Sequence, residues 1–254
     1  MTEIQTISAP VLNLPGVAHC FTTRLGGNSA PPYHHANMHF RKGGNQADVF
    51  ANRELVLKAL DLPPGSLRLV DQVHGSRVVL ANGLSLAETE VMEADGLVTT
   101  HRGTTVAVYV ADCLPLLLYA PGGVAALHGG WRSVIAGILQ EGIALLGEQT
   151  GANPRDFHLA IGPGIGPCCF EVGPEVTLQF RDQNLEEHIL SLPGKEKEHI
   201  DLPGAVKSLA LRAGLMPTNI WSSNLCTMCR DDLFYSYRRQ GWPTGQMMGI
   251  IGLN

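Results

Sequence analysis

Residues 104–128, TTVAVYVADCLPLLLYAPGGVAALH, constrain the fold more than any other part of the chain. The run is almost wholly apolar, yet it carries Asp112, Pro115, Pro121 and two glycines. It therefore reads as interior strands around a turn, not as a membrane span. The spacing predicts strands over 104–113, 114–120 and 124–128, with Pro121-Gly122 turning the chain between the last two. A two-residue turn sets Ala120 opposite Gly123 and His128 opposite Pro115, leaving Cys113 two residues further along on the same face. Diagonal neighbours of that kind stand ~7–8 Å apart between backbones, close enough for a thiolate and an imidazole to share a ligand. A three-residue turn would set His128 opposite Leu116 instead, out of register with Cys113 unless Pro115 forms a bulge.

Around this hairpin the chain alternates irregularly between the two kinds of element. Strands are expected at 17–24, at 66–81 (two strands joined around His74-Gly75-Ser76), at 95–100, from 157, at 219–225 and at 247–253. Helices are expected at 51–62, ending at Pro63-Pro64, and at 131–151, 175–183 and 202–215. This mixture predicts an α+β or layered α/β fold in a single domain over residues 1–254. A chain of 254 residues buries a sizeable core without disulfide or metal staples. Its 29 glycines and 16 prolines are spread along the length, so turns are frequent and no low-complexity tract stands out. The net charge of −5, with no long basic run, lacks the electrostatic footprint of a nucleic-acid binder. The amino terminus shows no basic segment followed by an apolar stretch. A cytoplasmic protein with reduced cysteines and no membrane partner is therefore expected.

Several residues carry chemistry. His74, in DQVHG, would complete a Cys-His-His set with Cys113 and His128, leaving a fourth position open as catalytic zinc sites do. Only the fold can bring His74 to the hairpin; otherwise it is a turn histidine bonded to backbone. Cys226 and Cys229 have CxxC spacing without a second such pair, so a structural zinc lacks half its ligands, and adjacent Cys168 and Cys169 read as packing residues. GPGIGP (162–167) lacks the dinucleotide-loop spacing and reads as a tight loop shaping a pocket wall. His34, His35 and His39 read as solvated loop histidines. No His-x-His pair is present, which disfavours a true multicopper oxidase.

The segments FTTRLGG (21–27), DQVHG (71–75), ADGLVTT (94–100), ADCLPLLLYAP (111–121), ALHGGWR (126–132), AIGPGIGPCCFEVG (160–173) and FYSYRRQG (234–241) span nearly the whole chain. In that order the set resembles the laccase-domain family, also described as zinc-dependent purine nucleoside phosphorylases, whose bacterial members include the peptidoglycan editing factor. The resemblance implies an α/β/β/α layered fold with mixed sheets. It implies a catalytic metal on His74, Cys113 and His128, zinc first and copper as the alternative. It further implies phosphorolysis of adenosine, inosine or guanosine and deamination of adenosine, with purine nucleoside and phosphate as the small-molecule partners. Two alternatives come with the family: hydrolytic removal of serine from cytoplasmic UDP-muramyl precursors, and an older polyphenol-oxidase label. Arg24, Asn37, Gln72 and Arg132 are the substrate-side candidates. Arg24 and Arg132, with the Gly129-Gly130 amides, are the expected phosphate holders, because a planar guanidinium grips phosphate in two places. The chain departs from the family at HGGWRS, where HAGWRG is usual, in the histidine-rich HHANMH stretch, and at Gln246, where an arginine is common.

Overall fold

The computed structural model describes residues 3–40 and 43–254. The first half supplies β1 (Thr6–Ile7), β2 (Val17–Thr22), α1 (Gln46–Ala59), β3 (Leu67–Arg68), β4 (Val78–Leu80), α2 (Leu86–Thr89), β5 (Gly96–Thr99), β6 (Thr105–Val110), β7 (Leu114–Ala120) and β8 (Gly123–Gly129). The second half adds α3 (Trp131–Ile135), α4 (Ile138–Thr150), β9 (His158–Ile161), α5 (Pro174–Asp182), β10 (Ile189–Leu190), β11 (His199–Ile200), α6 (Leu202–Arg212), β12 (Ile220–Ser222), α7 (Tyr237–Gln240) and β13 (Met247–Leu253). Two mixed sheets dominate, ordered β1-β2-β13-β6-β3 and β12-β9-β7-β8-β5-β4; β10 and β11 pair by themselves.

The layering follows from strand periodicity. Successive side chains on a strand face opposite ways, so one strand buried on both faces feeds two cores. In β6, Val106 and Val108 join Phe21, Leu117, Ala126 and Ile251 between the sheets, while Ala107 and Tyr109 face Val56 and Leu57 of α1. In β8, Val124 and Ala126 point inward, while Ala125 and Leu127 pack with Ile138, Leu139 and Ile143 of α4 and Val206 of α6. The result is helix, sheet, sheet, helix, an α+β fold of the layered kind expected. The central hairpin has the two-residue turn: Ala120 pairs with Gly123, and Pro115 with His128.

Three boundaries differ from the sequence reading. Helix α1 begins at Gln46, because the Asn45 side chain accepts from the Ala47 and Asp48 amides and caps a first turn that carries no apolar stripe. It ends at Ala59, with Leu60 as the C-cap and Asp61 at φ 54°, short of the proline pair. The long helix expected over 131–151 is broken at Gly137, whose φ of 91° only glycine adopts freely, giving α3 and α4. The two strands flanking His74 do not form a hairpin: β3 lies in one sheet and β4 in the other. No helix among the described residues is long and apolar enough to cross a membrane.

Candidate metal centre and substrate cleft

The centre forms where the chain passes from one sheet to the other. β3 and β6 are parallel neighbours, so the segments leaving them emerge at the same end, each on its way to the second sheet. His74 lies on the first crossing, Cys113 on the second, and His128 near the end of β8. Gln72 ties the crossings together: its Nε2 donates to the Tyr109 carbonyl at 3.0 Å, and its Oε1 accepts from the Tyr109 amide at 2.7 Å. That side chain continues the β3–β6 pairing past the last paired backbone. Asp112, at φ 92°, then turns the chain into β7 and receives Thr227 Oγ1 and the Arg238 amide, each at 2.6 Å.

One ligand atom each from His74, Cys113 and His128 lie within 4.8 Å of one another. The imidazole rings meet edge to face at 4.8 Å. Burial would raise the Cys113 thiol, but the His128 and His74 imidazoles outweigh it and bring it down to about 6. Burial would likewise lower His128; the Cys113 thiolate and the Asp95 carboxylate outweigh that and push it up. Gly130 completes the cradle, since a Cβ there would stand 3.2 Å from both Cys113 Sγ and His74 Cδ2.

Asp95 is the residue that sequence reasoning missed. Fully buried, it accepts from His128 Nδ1 at 2.7 Å and from the His74 amide at 2.9 Å through one oxygen; the other takes the Gly75 amide at 2.7 Å and the Val73 amide at 3.2 Å. One carboxylate thus turns the His128 ring and holds the loop that keeps His74 at φ 62°. The available signal was a lone carboxylate heading the apolar strand GLVT in ADGLVTT.

The three donors sit in a cleft of about 530 Å³, whose wall includes Gln72, Tyr109, Trp131, Arg132, Phe170, Tyr237, Arg238 and Trp242. Arg132 is exposed, with its guanidinium stacked 4.4 Å over Trp131. The helix that begins at Trp131 has only five residues, too short to add a strong pull on an anion. Arg24 and Asn37 do not line the cleft. Arg24 donates to the Asp231 carbonyl and lies 4.9 Å over Tyr235, and buried Asn37 clasps the His39 backbone and the Gln246 amide. Arg238, unforeseen, lines the cleft while donating to the Glu171 carbonyl. Gln246 brings no charge to the lining. His34 and His35 are exposed, as expected, but His39 is half-buried, its ring 4.5 Å from that of Tyr109 and tilted 60° to it.

The sequence model of the family described as "Multi-copper polyphenol oxidoreductase laccase" matches residues 18–254. The chain belongs to this family. Its relatives include a protein named purine nucleoside phosphorylase from Deinococcus radiodurans, 38% identical over 96% of this chain and 93% of that one. Another is the Escherichia coli purine nucleoside phosphorylase YfiH, 35% identical over 94% of both. Among solved structures, YlmD from Geobacillus stearothermophilus superposes with a TM-score of 0.87 at 31% identity, over all of both chains.

Proposed function

We propose that this protein is a zinc-dependent purine nucleoside phosphorylase, with adenosine deamination as a second activity of the same centre. The observation that carries the reading is the convergence of His74, Cys113 and His128 at an aromatic-lined cleft. The names of its relatives supply the substrate class. The donor set suits zinc: one soft thiolate, two imidazoles, and a buried carboxylate behind one of them, as in carboxylate–histidine–metal arrangements. When bound, the ion supplies a Lewis acid at the cleft floor.

The chain's own residues do the rest. Tyr237 and Trp242, 58% and 49% exposed beside the cleft, offer faces for a purine to stack on. Phosphorolysis forms a bond from a phosphate oxygen to the ribose anomeric carbon and breaks the bond from that carbon to the purine nitrogen. The dianion needs fixed positive partners in a partly dry site. Arg132 supplies one: it lines the cleft, and its guanidinium lies over the face of Trp131, a contact that leaves its N–H donors available to an anion. Arg238 supplies a second. Gln72, bonded through both its amide atoms to Tyr109, braces the segment that carries His74 and presents itself at the cleft wall.

The test is release of hypoxanthine from inosine by the purified protein, with and without phosphate. Phosphate-dependent release with formation of ribose 1-phosphate is expected. Serine release from UDP-MurNAc-L-Ser with no phosphorolysis would transfer the site to the muramyl-precursor hydrolase alternative and overturn this reading.

A further inference from the structure

The cysteines outside this centre form a second cluster. Cys168 and Cys169 follow the glycine-rich loop after β9, and Cys226 and Cys229 follow β12. One sulfur from each lies within 4.8 Å of every other. Cys229 Sγ stands 3.5 Å from Cys168 Sγ and 3.4 Å from Cys169 Sγ, and all four residues are free cysteines. The half-site of CxxC therefore has the other two ligands it lacked in the sequence, brought in across some 60 residues by pairing of the two segments. Gly164 bridges Cys226 in parallel, and the Thr227 amide donates to the Gly164 carbonyl at 2.9 Å.

We propose that Cys168, Cys169, Cys226 and Cys229 constitute a second metal site, a closed tetrathiolate that binds Zn2+ and clamps the cleft wall. Four sulfurs at ~2.3 Å from a tetrahedral zinc stand ~3.8 Å apart, and the cluster spans that separation. An iron–sulfur core would hold the cysteines further apart, because inorganic atoms would lie between them. The Gly166 amide donates to Cys226 Sγ at 3.2 Å, the kind of contact that orients and stabilises a metal thiolate. Four sulfurs so close can all be deprotonated only with a cation among them, and the exposure of Cys168 and Cys229 gives an ion a path in from solvent.

The site has structural leverage on the cleft. Cys169 precedes Phe170 of the cleft wall, and Ile165 of the same loop also lines it. On the other segment, Thr227 bonds Asp112, next to Cys113, while the Thr227 and Met228 carbonyls take Arg239 Nη1, next to Arg238. All four positions are used by cysteine ligands, so this metal has no vacancy for substrate; its role is to fasten two loops.

Metal content of the full chain, purified anaerobically, tests the proposal. Native mass spectrometry and elemental analysis should find about two zinc equivalents in the wild type. Cys113→Ala should lose one, and Cys226→Ser with Cys229→Ser should lose the other. Cobalt loaded into Cys113→Ala should show the thiolate charge-transfer and ligand-field spectrum of a four-sulfur tetrahedral centre. The wild-type measurements stand even if the double variant does not fold. A wild type that binds one equivalent, all of it lost with Cys113, would overturn the proposal. So would a Cys226–Cys229 disulfide in the anaerobic protein, or cobalt spectra lacking sulfur ligation in Cys113→Ala.

Discussion

Asp95 illustrates how much of this centre rests on a residue that touches no substrate. It is fully buried, and its four hydrogen bonds orient one candidate ligand and the backbone of another. In Asp95→Asn an amide replaces the charge, and one of its two acceptor positions becomes a donor facing donors. Removing such a partner typically lowers metal affinity ~10–100-fold. Competition against a chromophoric chelator should show that loss in the site removed by Cys113→Ala; unchanged affinity would mean Asp95 is only structural. Arg132 gives a second expectation. Losing one charge-assisted contact costs ~1.5–3 kcal/mol, or roughly 10–150-fold. Arg132→Ala should therefore raise the KM for phosphate by that order, retain its metal, and leave adenosine deamination far less affected. Equal slowing of both reactions, with metal retained, would assign Arg132 to the nucleoside instead.

At the scale of elements, the central hairpin was legible because a Pro-Gly pair between two apolar runs leaves little choice of turn. The turn fixes the register, and the register sets His128 opposite Pro115. The crossings were not legible. Periodicity reports which residues are buried but not which sheet a strand joins, so the 66–81 segment read only as two strands joined around His74, with no sign that it carries His74 between sheets. Arg24 and Asn37 were carried in by family resemblance, and the structure engages both in holding loops. The break between α3 and α4 was hidden because the apolar positions continue through Gly137. A Cβ on that glycine would make only an ordinary contact, 3.7 Å from Gln140 Oε1, while its φ is 91°, so a side chain there meets backbone strain and no clash. Gly137→Ala should cost ~1–2 kcal/mol. In a chain of this size each kcal/mol lowers Tm by ~2–4 °C, measurable by calorimetry. An unchanged Tm would show that α3 and α4 can merge without penalty.

Across the whole molecule, two sheets share one core, and the passages between them deliver the reactive side chains to a single end. An α+β or layered α/β fold was readable from strands and helices mixed without strict alternation, and the four layers came with the family resemblance, whereas the four-cysteine cluster depends on pairing between segments some 60 residues apart, which composition does not encode. The proposed function stands or falls on whether His74, Cys113 and His128 hold the metal on which catalysis depends. The most direct measurement determines metal content and phosphate-dependent inosine cleavage on the same preparations of wild type and Cys113→Ala. The variant is expected to stay folded, to carry about one metal equivalent fewer than the wild type, and to cleave inosine no faster than background. A variant that loses that metal yet keeps wild-type phosphorolysis, or keeps its full metal content, would contradict the proposed function.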